Sequence, residues 1–229
     1  MIDTLIEIDT KVTLFVNSFH SEFFDQFMYL YSGRFIWIPM YATILYILLK
    51  KYKPKSVVVW GLGIALTILI TDQFCASFMR PMLERLRPAH LDNPISQFIH
   101  VVNDYRGGNF GFPSCHAANS FALVAFSSML FKKCRFVCFI ILWAIINSYS
   151  RLYLGVHYLG DLLVGAVIGT FVGISCYYIS KYALSLRIVN GGESPWRQRE
   201  CKSGFDATDV TIIAGILTVL YIAIRVEIL

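Results

Sequence analysis

Apolar runs separated by short polar connections dominate the pattern of this chain. A helix rises 1.5 Å per residue, so about 20 apolar residues cross the roughly 30 Å hydrocarbon layer of a bilayer. The predicted spans are residues 35–49, 57–79, 117–131, 136–149, 162–179 and 210–224. The fifth is rich in small residues that let helices approach closely, namely Gly165, Ala166, Gly169 and Gly173. The pattern therefore predicts an all-α, polytopic membrane helical bundle with six transmembrane helices.

Residues 1–33 show a different pattern, in which bulky apolar residues recur at helical spacing with charged residues between them. The apolar positions are Leu5, Ile8, Val12, Phe15, Phe19, Phe23 and Phe27. Such a pattern predicts an N-terminal amphipathic helix that lies at the membrane surface, and a first helix packed on the bundle is the equal alternative. The chain is thus divided into this helix and a transmembrane domain over residues 34–229.

Composition and charge agree with a membrane protein. Of the 229 residues, 56% are hydrophobic and only 15% are charged, whereas soluble domains have about 25% charged residues. The net charge of +5 does not indicate a nucleic-acid partner, because the basic residues form short clusters between the apolar runs. Most of the 20 Lys and Arg residues lie in the loops at 50–55, 132–135 and 181–209, which share one side by parity. The positive-inside rule makes that side cytoplasmic, so the loops at 80–113 and 150–160 face the other side.

The turn at 150–160 and the residue after it hold a polar cluster that is costly between two apolar runs unless it is used. The cluster consists of Ser150, Arg151, His157 and Asp161. His157 and Asp161 stand four residues apart, so in a helix they share one face and the carboxylate can orient the imidazole. Arg151 offers a fixed cationic fork suited to phosphate oxygens. A buried structural pair and two metal ligands are the alternatives for His157 and Asp161.

The loop at 80–113 and the residues that follow it supply complementary groups on the same side. Arg80 and Arg87 stand seven residues apart, while Ser114 and His116 begin a predicted span, where helix N–H groups attract anions. Arginines, a helix N-terminus and two histidines together are suited to phosphoryl transfer. Arg85, between the two arginines, is predicted to be an interfacial anchor, which is also the alternative for the whole segment.

These three segments resemble the type 2 phosphatidic acid phosphatase superfamily, whose pattern is K-x6-R-P, P-S-G-H and S-R-x5-H-x3-D. Here the segments read Arg80-x6-Arg87-Pro88, Pro113-Ser114-Cys115-His116 and Ser150-Arg151-x5-His157-x3-Asp161. The resemblance covers about residues 60–180 and matches the integral-membrane branch. Arg80 stands in place of Lys and Cys115 in place of Gly. Neither change removes a group that attacks phosphorus or transfers a proton, so the changes bear on substrate preference.

The resemblance implies a two-step reaction that uses no metal and no cofactor. His157 would attack phosphorus to give a phosphohistidine, Asp161 would fix its tautomer, and His116 would serve as acid and then base. The phosphate-binding residues would be Arg80, Arg87, Ser114, Cys115, Ser150 and Arg151. The resemblance thus implies a bacterial inner-membrane lipid phosphatase whose site faces the periplasm. Lipid A phosphate or undecaprenyl diphosphate is the expected substrate, and phosphatidylglycerophosphate or phosphatidic acid is the alternative. A non-catalytic anion or lipid transporter is the alternative from another class.

Overall fold

The computed structural model describes residues 2–186 and 206–228, and these fold as a helical bundle. The helices are α1 (Ile2–Asn17), α2 (Glu22–Tyr31), α3 (Ile38–Lys51), α4 (Pro54–Gln73), α5 (Arg80–Leu83), α6 (Cys115–Phe131), α7 (Cys134–Tyr153), α8 (Leu159–Ser185) and α9 (Asp209–Ile228). A π-helical segment, Phe74–Met79, joins α4 to α5, and two short 3-10 turns, Pro94–Phe98 and Val102–Asp104, lie in the long connection before α6. The prediction of an all-α fold is confirmed for this part of the chain. Most of the loop predicted at 181–209 lies outside the described residues.

Four helical stretches in the described ranges are long and apolar enough to cross a membrane: Pro54–Leu83, Cys134–Tyr153, Leu159–Ser185 and Asp209–Ile228. The protein is therefore a multi-pass membrane protein. The other two predicted spans form shorter helices, since α6 has 17 residues and α3 has 14. At 1.5 Å per residue they are about 25 Å and 21 Å long. The count of six spans stays a prediction.

Two helices replace the single N-terminal helix that was predicted over residues 1–33. The helix is interrupted between α1 and α2. The side chain of Ser21 accepts a hydrogen bond from the N–H of Phe24 and caps the second helix. Both helices are bonded to the bundle. Asn17 of α1 donates to the carbonyl of Tyr153 at 2.7 Å, and Asp25 of α2 accepts the Tyr153 hydroxyl at 2.7 Å. These contacts favour the alternative of a segment packed on the bundle.

The closest helix contact joins α6 to α8 and rests on the small residues predicted there. Gly165, Gly169 and Gly173 lie one turn apart along α8 and face α6. A Cβ atom at Gly169 would collide with the carbonyl oxygen of Ala118, and Cβ atoms at the other two positions would also collide with backbone oxygens of α6 and its N-cap. Small residues that let backbones meet are the usual basis of helix association in membranes. The contact fixes the N-terminal end of α6 against the first turns of α8.

The connections between helices group at the two ends of the bundle as their parity predicted. At one end, Asp206 before α9 pairs with Lys51 at 2.9 Å and with Lys133 at 3.6 Å. At the other end, the N–H of Ala89 donates to the carbonyl of Gly155 at 3.0 Å. The two loops that carry the candidate chemistry therefore meet each other, on the end opposite the basic loops.

Candidate active site

His157 and Asp161 are paired at the N-terminus of α8, and both are fully buried. The distance between His157 Nδ1 and Asp161 Oδ2 is 3.3 Å. The same carboxylate oxygen accepts the N–H of Tyr158 at 3.0 Å and thereby caps the helix, which begins at Leu159. His157 thus precedes the helix instead of sharing a helical face with Asp161. His157 and Asp161 are therefore paired as predicted, but they meet because Asp161 caps the N-terminus of α8 and not because both lie on one helical face.

The other ring nitrogen of His157 faces Arg87. Arg87 Nη1 lies 3.1 Å from His157 Nε2, and the same nitrogen donates to the carbonyl of Val156 at 3.0 Å. Because a guanidinium only donates hydrogen bonds, Nε2 must accept, and the ring proton lies on Nδ1 towards Asp161. Burial lowers the pKa of His157 well below its ordinary value, and the charges of Arg87 and Arg151 lower it further. The ring is therefore held neutral, which is the form that can act as a nucleophile.

Arg80, Arg87 and Arg151 line one cavity of about 870 Å³. Arg80 Nε donates to the carbonyl of Pro113 at 3.3 Å, while Arg151 donates to the Tyr105 hydroxyl at 2.9 Å. Arg151 is buried, and its Nε has no hydrogen-bond partner among the described residues. Burial lowers the pKa of Arg87 to about 10, helped by the charges of Arg80 and Arg151, so the group remains cationic at neutral pH. Neighbouring buried cations of this kind are suited to an anion.

The start of α6 brings His116 to the same cavity. Ser114 is the N-cap of α6, where its hydroxyl accepts the N–H of Ala117 at 3.4 Å. Its own N–H donates to the carbonyl of Asp161 at 3.0 Å, which joins two of the motifs directly. His116 is half-buried, and within the described ranges its ring has no hydrogen-bond partner. The imidazole is therefore free to exchange a proton with a molecule in the cavity.

Ser150 and Cys115, like Ser114, were predicted to bind phosphate and have contacts within the protein. The Ser150 hydroxyl is fully buried and donates to the carbonyl of Asn147 at 2.7 Å, a common bond for a serine within a helix. Neither Ser150 nor Ser114 lines the cavity. Cys115 does line it, and also packs against Cys75 and Ala118. The structure thus gathers Arg80, Arg87, Arg151, Cys115 and His116 around the cavity, with His157 and Asp161 behind Arg87.

Arg85 is not the interfacial anchor that was predicted. Its Nη1 lies 2.8 Å from Asp161 Oδ1 and its Nη2 lies 2.7 Å from Asp9 Oδ2. Residues 85–87 are extended, with Leu86 bridged to Phe110, so the side chains of Arg85 and Arg87 point to the same side. The two-residue spacing of Arg85 and Arg87 was the sequence feature that could have predicted that both face the site. No local pattern in the sequence links Asp9 to this loop.

Tyr105 and Arg34 also line the cavity and were missed by the sequence analysis. Burial alone would raise the pKa of the Tyr105 hydroxyl, but the charge and hydrogen bond of Arg151 outweigh that effect and lower the pKa. Below the arginines, the cavity continues between helices and is lined by apolar side chains, among them Trp37, Ile44, Ile64, Ile68, Leu69 and Leu123. The cavity therefore joins a cationic head to an apolar cleft. Asp72 of α4 accepts a hydrogen bond from Asn119 of α6 at 3.1 Å, which is a polar contact between two helices.

Metal ligation was an alternative reading of His157 and Asp161. In the described part of the chain, no group of three or more His, Cys, Asp or Glu side chains is arranged to hold a metal ion. Five cysteines are free thiols there: Cys75, Cys115, Cys134, Cys138 and Cys176. Cys201 lies outside the described residues.

Comparison with known proteins gives both family and fold relatives. The model of the PAP2 superfamily matches residues 60–185. A lipid A 4'-phosphatase of Bacteroides thetaiotaomicron is 49% identical over 218 residues, which cover 95% of each chain. A lipid A 4'-phosphatase of Porphyromonas gingivalis is 33% identical over 79% of this chain and 76% of its own. The crystal structure of Aquifex aeolicus LpxE matches with a TM-score of 0.51 and 22% identity, over 76% of this chain and 94% of that chain.

Proposed function

This chain belongs to the PAP2 superfamily, and we propose that it is an integral-membrane lipid A phosphatase that removes the 4'-phosphate. The 49% identical relative of equal extent carries that name, as does the second relative. The prediction of an enzyme that hydrolyses a phosphoric monoester on a lipid is confirmed at this level. The observation that carries the assignment is the cavity itself, which joins three arginines and a histidine to an apolar cleft. A phosphate carried by a membrane lipid has the same two parts.

In the first step, His157 Nε2 attacks the phosphorus atom of the bound ester. Arg87, which donates to this nitrogen, turns its guanidinium to the phosphoryl oxygens as substrate binds and so frees the lone pair. The bond from phosphorus to the sugar oxygen breaks, and His116 gives its proton to that oxygen. The product is a phosphohistidine, whose positive ring is stabilised by Asp161 across Nδ1–H.

In the second step, His116 takes a proton from water while the water oxygen attacks phosphorus. The bond between phosphorus and Nε2 breaks, and inorganic phosphate leaves with neutral His157 restored. Arg80, Arg87 and Arg151 hold the charge that develops on the phosphoryl oxygens in both steps. Each proton and electron pair is accounted for by the two imidazoles, water and substrate.

The arrangement of the two ends of the bundle supports an orientation of the site. The basic loops meet at the end opposite the cavity, which by the positive-inside rule supports our proposal that the cavity faces the periplasm from the inner membrane. A thiol reagent that cannot cross membranes tests this on intact spheroplasts. A chain with Leu91→Cys, in the exposed connection beside the cavity, is expected to be labelled. The exposed native Cys134 and Cys138 are expected to react only after permeabilisation, and the reverse order would refute the orientation.

The decisive assay uses purified protein in detergent with lipid A that carries phosphate at both ends. Wild type is expected to release one phosphate in the presence of EDTA, and mass spectrometry of the product is expected to locate the loss at the 4' position. His157→Ala protein is the control and is expected to be inactive. Undecaprenyl diphosphate and phosphatidic acid are assayed beside lipid A. Preferred hydrolysis of either, or loss at the other end of lipid A, refutes the substrate assignment, while no release from any lipid favours the transporter.

A further inference from the structure

A chain of charged groups links the N-terminal helix to the site from the side away from the cavity. Arg85 stands in its centre, with one nitrogen 2.8 Å from Asp161 and the other 2.7 Å from Asp9 of α1. The side chains of Asp161 and Asp9 are 0% and 13% exposed, so both contacts are largely sheltered from water. Helix α1 lies outside residues 60–185, which are the part matched by the family. A residue of α1 therefore reaches a motif carboxylate through one arginine.

Arg85 fixes the rotation of the Asp161 carboxylate. It occupies Oδ1, which leaves Oδ2 to face His157 Nδ1 and the N–H of Tyr158. The guanidinium is itself held in place, because it lies 3.9 Å from the centre of the Tyr158 ring. Asp161 is thus oriented by contacts on both of its oxygens.

Asp9 also makes a second contact, with the N-terminus of α8. Its Oδ1 accepts the N–H of Gly160 at 2.8 Å, in the first turn of α8. A Cβ atom at position 160 would lie only 2.9 Å from Asp9 Oδ2, so a larger residue there would push the Asp9 carboxylate away. One carboxylate of α1 therefore holds both Arg85 and the helix start that carries Asp161.

Charge gives Asp9 a role beyond geometry. Arg85 alone would cancel the charge of Asp161, and the ring of His157 would then face a neutral pair. With Asp9 included, the three groups carry a net charge of one negative unit. Charges sheltered from water interact strongly over such distances, so this net charge favours a positive ring at His157.

We propose that Asp9 and Arg85 are positioning residues of the active site, which orient Asp161 and preserve its negative charge for the reaction at His157. The proposal rests on the phosphohistidine reaction described above. It makes α1 part of the catalytic apparatus and not only a packed helix. Neither residue touches the cavity, so their effect should fall on turnover and not on substrate binding.

Asp9→Asn tests the proposal, because the amide oxygen can still accept the N–H of Gly160 while the charge is lost. We expect kcat to fall about tenfold, the effect of lowering the pKa of the His157 imidazole by about one, and we expect KM to be unchanged. Glu7→Gln is the matched control. Glu7 lies on the same helix in an exposed pair with Lys11, where its side chain is 63% exposed, and its loss should leave kcat unchanged. Unfolding midpoints in detergent are measured for each protein.

A double-mutant cycle then asks whether Asp9 acts through Arg85. In an Arg85→Gln background, Asp9→Asn is expected to have little further effect on kcat. An Asp9→Asn protein with wild-type kcat overturns the proposal, and so does a loss of activity that only follows a loss of folded protein. Asp161→Asn is assayed beside them. If it is inactive while Asp9→Asn is fully active, only the positioning role fails; if wild type releases no phosphate, the proposed function fails as well.

Discussion

The two histidines of the site lie in regions of opposite character. His157 is fully buried, with Arg87 on one ring nitrogen and Asp161 on the other. His116 is half-buried on the wall of the cavity, and in the described residues its ring has no partner. A group that attacks phosphorus gains from a fixed tautomer and direction, whereas a group that moves protons needs access to the leaving oxygen and to water. The contrast in surroundings therefore supports the two roles proposed for these histidines.

The arginines differ between the two regions in the same way. Behind His157, Arg85 lies between two carboxylates and its charge is balanced. On the cavity side, Arg80, Arg87 and Arg151 make no ion pair within the described ranges, and Arg151 Nε is buried with no partner. A buried cation with no partner is costly unless an anion compensates it. The balanced side is suited to orientation of a side chain, and the unbalanced side is suited to an anion, as proposed for the phosphate.

Substitution of His157 is expected to have the largest effect on activity. His157→Gln removes the attacking nitrogen but keeps an amide of similar polarity beside Arg87 and Asp161. We expect kcat for lipid substrate to fall at least about a thousandfold, as for other catalytic nucleophiles. An aryl phosphate, whose leaving group needs no proton, should not restore the rate. Phosphate release is the measurement, and substantial turnover of either substrate would show that another group attacks.

His116→Gln should give the opposite response to the leaving group. Loss of a general acid is expected to lower the rate on lipid substrate by about a hundred- to ten-thousandfold. With the aryl phosphate, phosphohistidine formation should recover and be seen as a burst of the released phenol, because only the second step still needs His116. The burst amplitude, measured by stopped flow, separates the two roles. Equal losses on both substrates, without a burst, would contradict the division of labour between the two regions.

Motif spacing predicted which residues meet, but not how they are held. Arg80, Arg87, Arg151 and His116 line one cavity because the spacing of spans brings both loops to the same end of the bundle. Such end-to-end placement follows from helix length and parity, which are readable from apolar runs. The grouping of the loops could therefore be predicted with no structure.

Partners that are distant in sequence could not be predicted. Asp9 and Arg85 are 76 residues apart, and neither belongs to a motif. Their contact depends on how α1 lies across the bundle, which periodicity does not encode. Ser150 shows the converse limit, since its motif position predicted phosphate binding and its hydroxyl is bonded to Asn147. Local patterns give types of element and candidate groups, while pairings come from packing.

The position of His116 relative to His157 depends on the contact between the glycines of α8 and the backbone of α6. Gly169→Ala would place a Cβ atom against the carbonyl of Ala118, so the helices must separate. We expect the protein to be destabilised by about 1–3 kcal/mol, as in other overpacked cores, and kcat to fall as His116 moves away from His157. Gly61→Ala is the control, because a Cβ atom there meets nothing within 4 Å. Unfolding in detergent and phosphate release are measured, and equal behaviour of the two variants would refute the prediction.

The smallest effect expected is one of protonation and not of rate. Burial and the charges of Arg87 and Arg151 lower the pKa of His157, so its ring should remain neutral as the pH falls through the ordinary range of histidine. At a pH of about 6 an ordinary histidine is mostly protonated. Nitrogen NMR of protein labelled at its 5 histidines reports the state of each ring, and the signal missing in His157→Gln identifies the one of interest. We expect the neutral form with the proton on Nδ1 at that pH, because Arg87 donates to Nε2. A ring that takes up a proton near pH 6.5 would mean that the buried region does not hold its nucleophile in the neutral form.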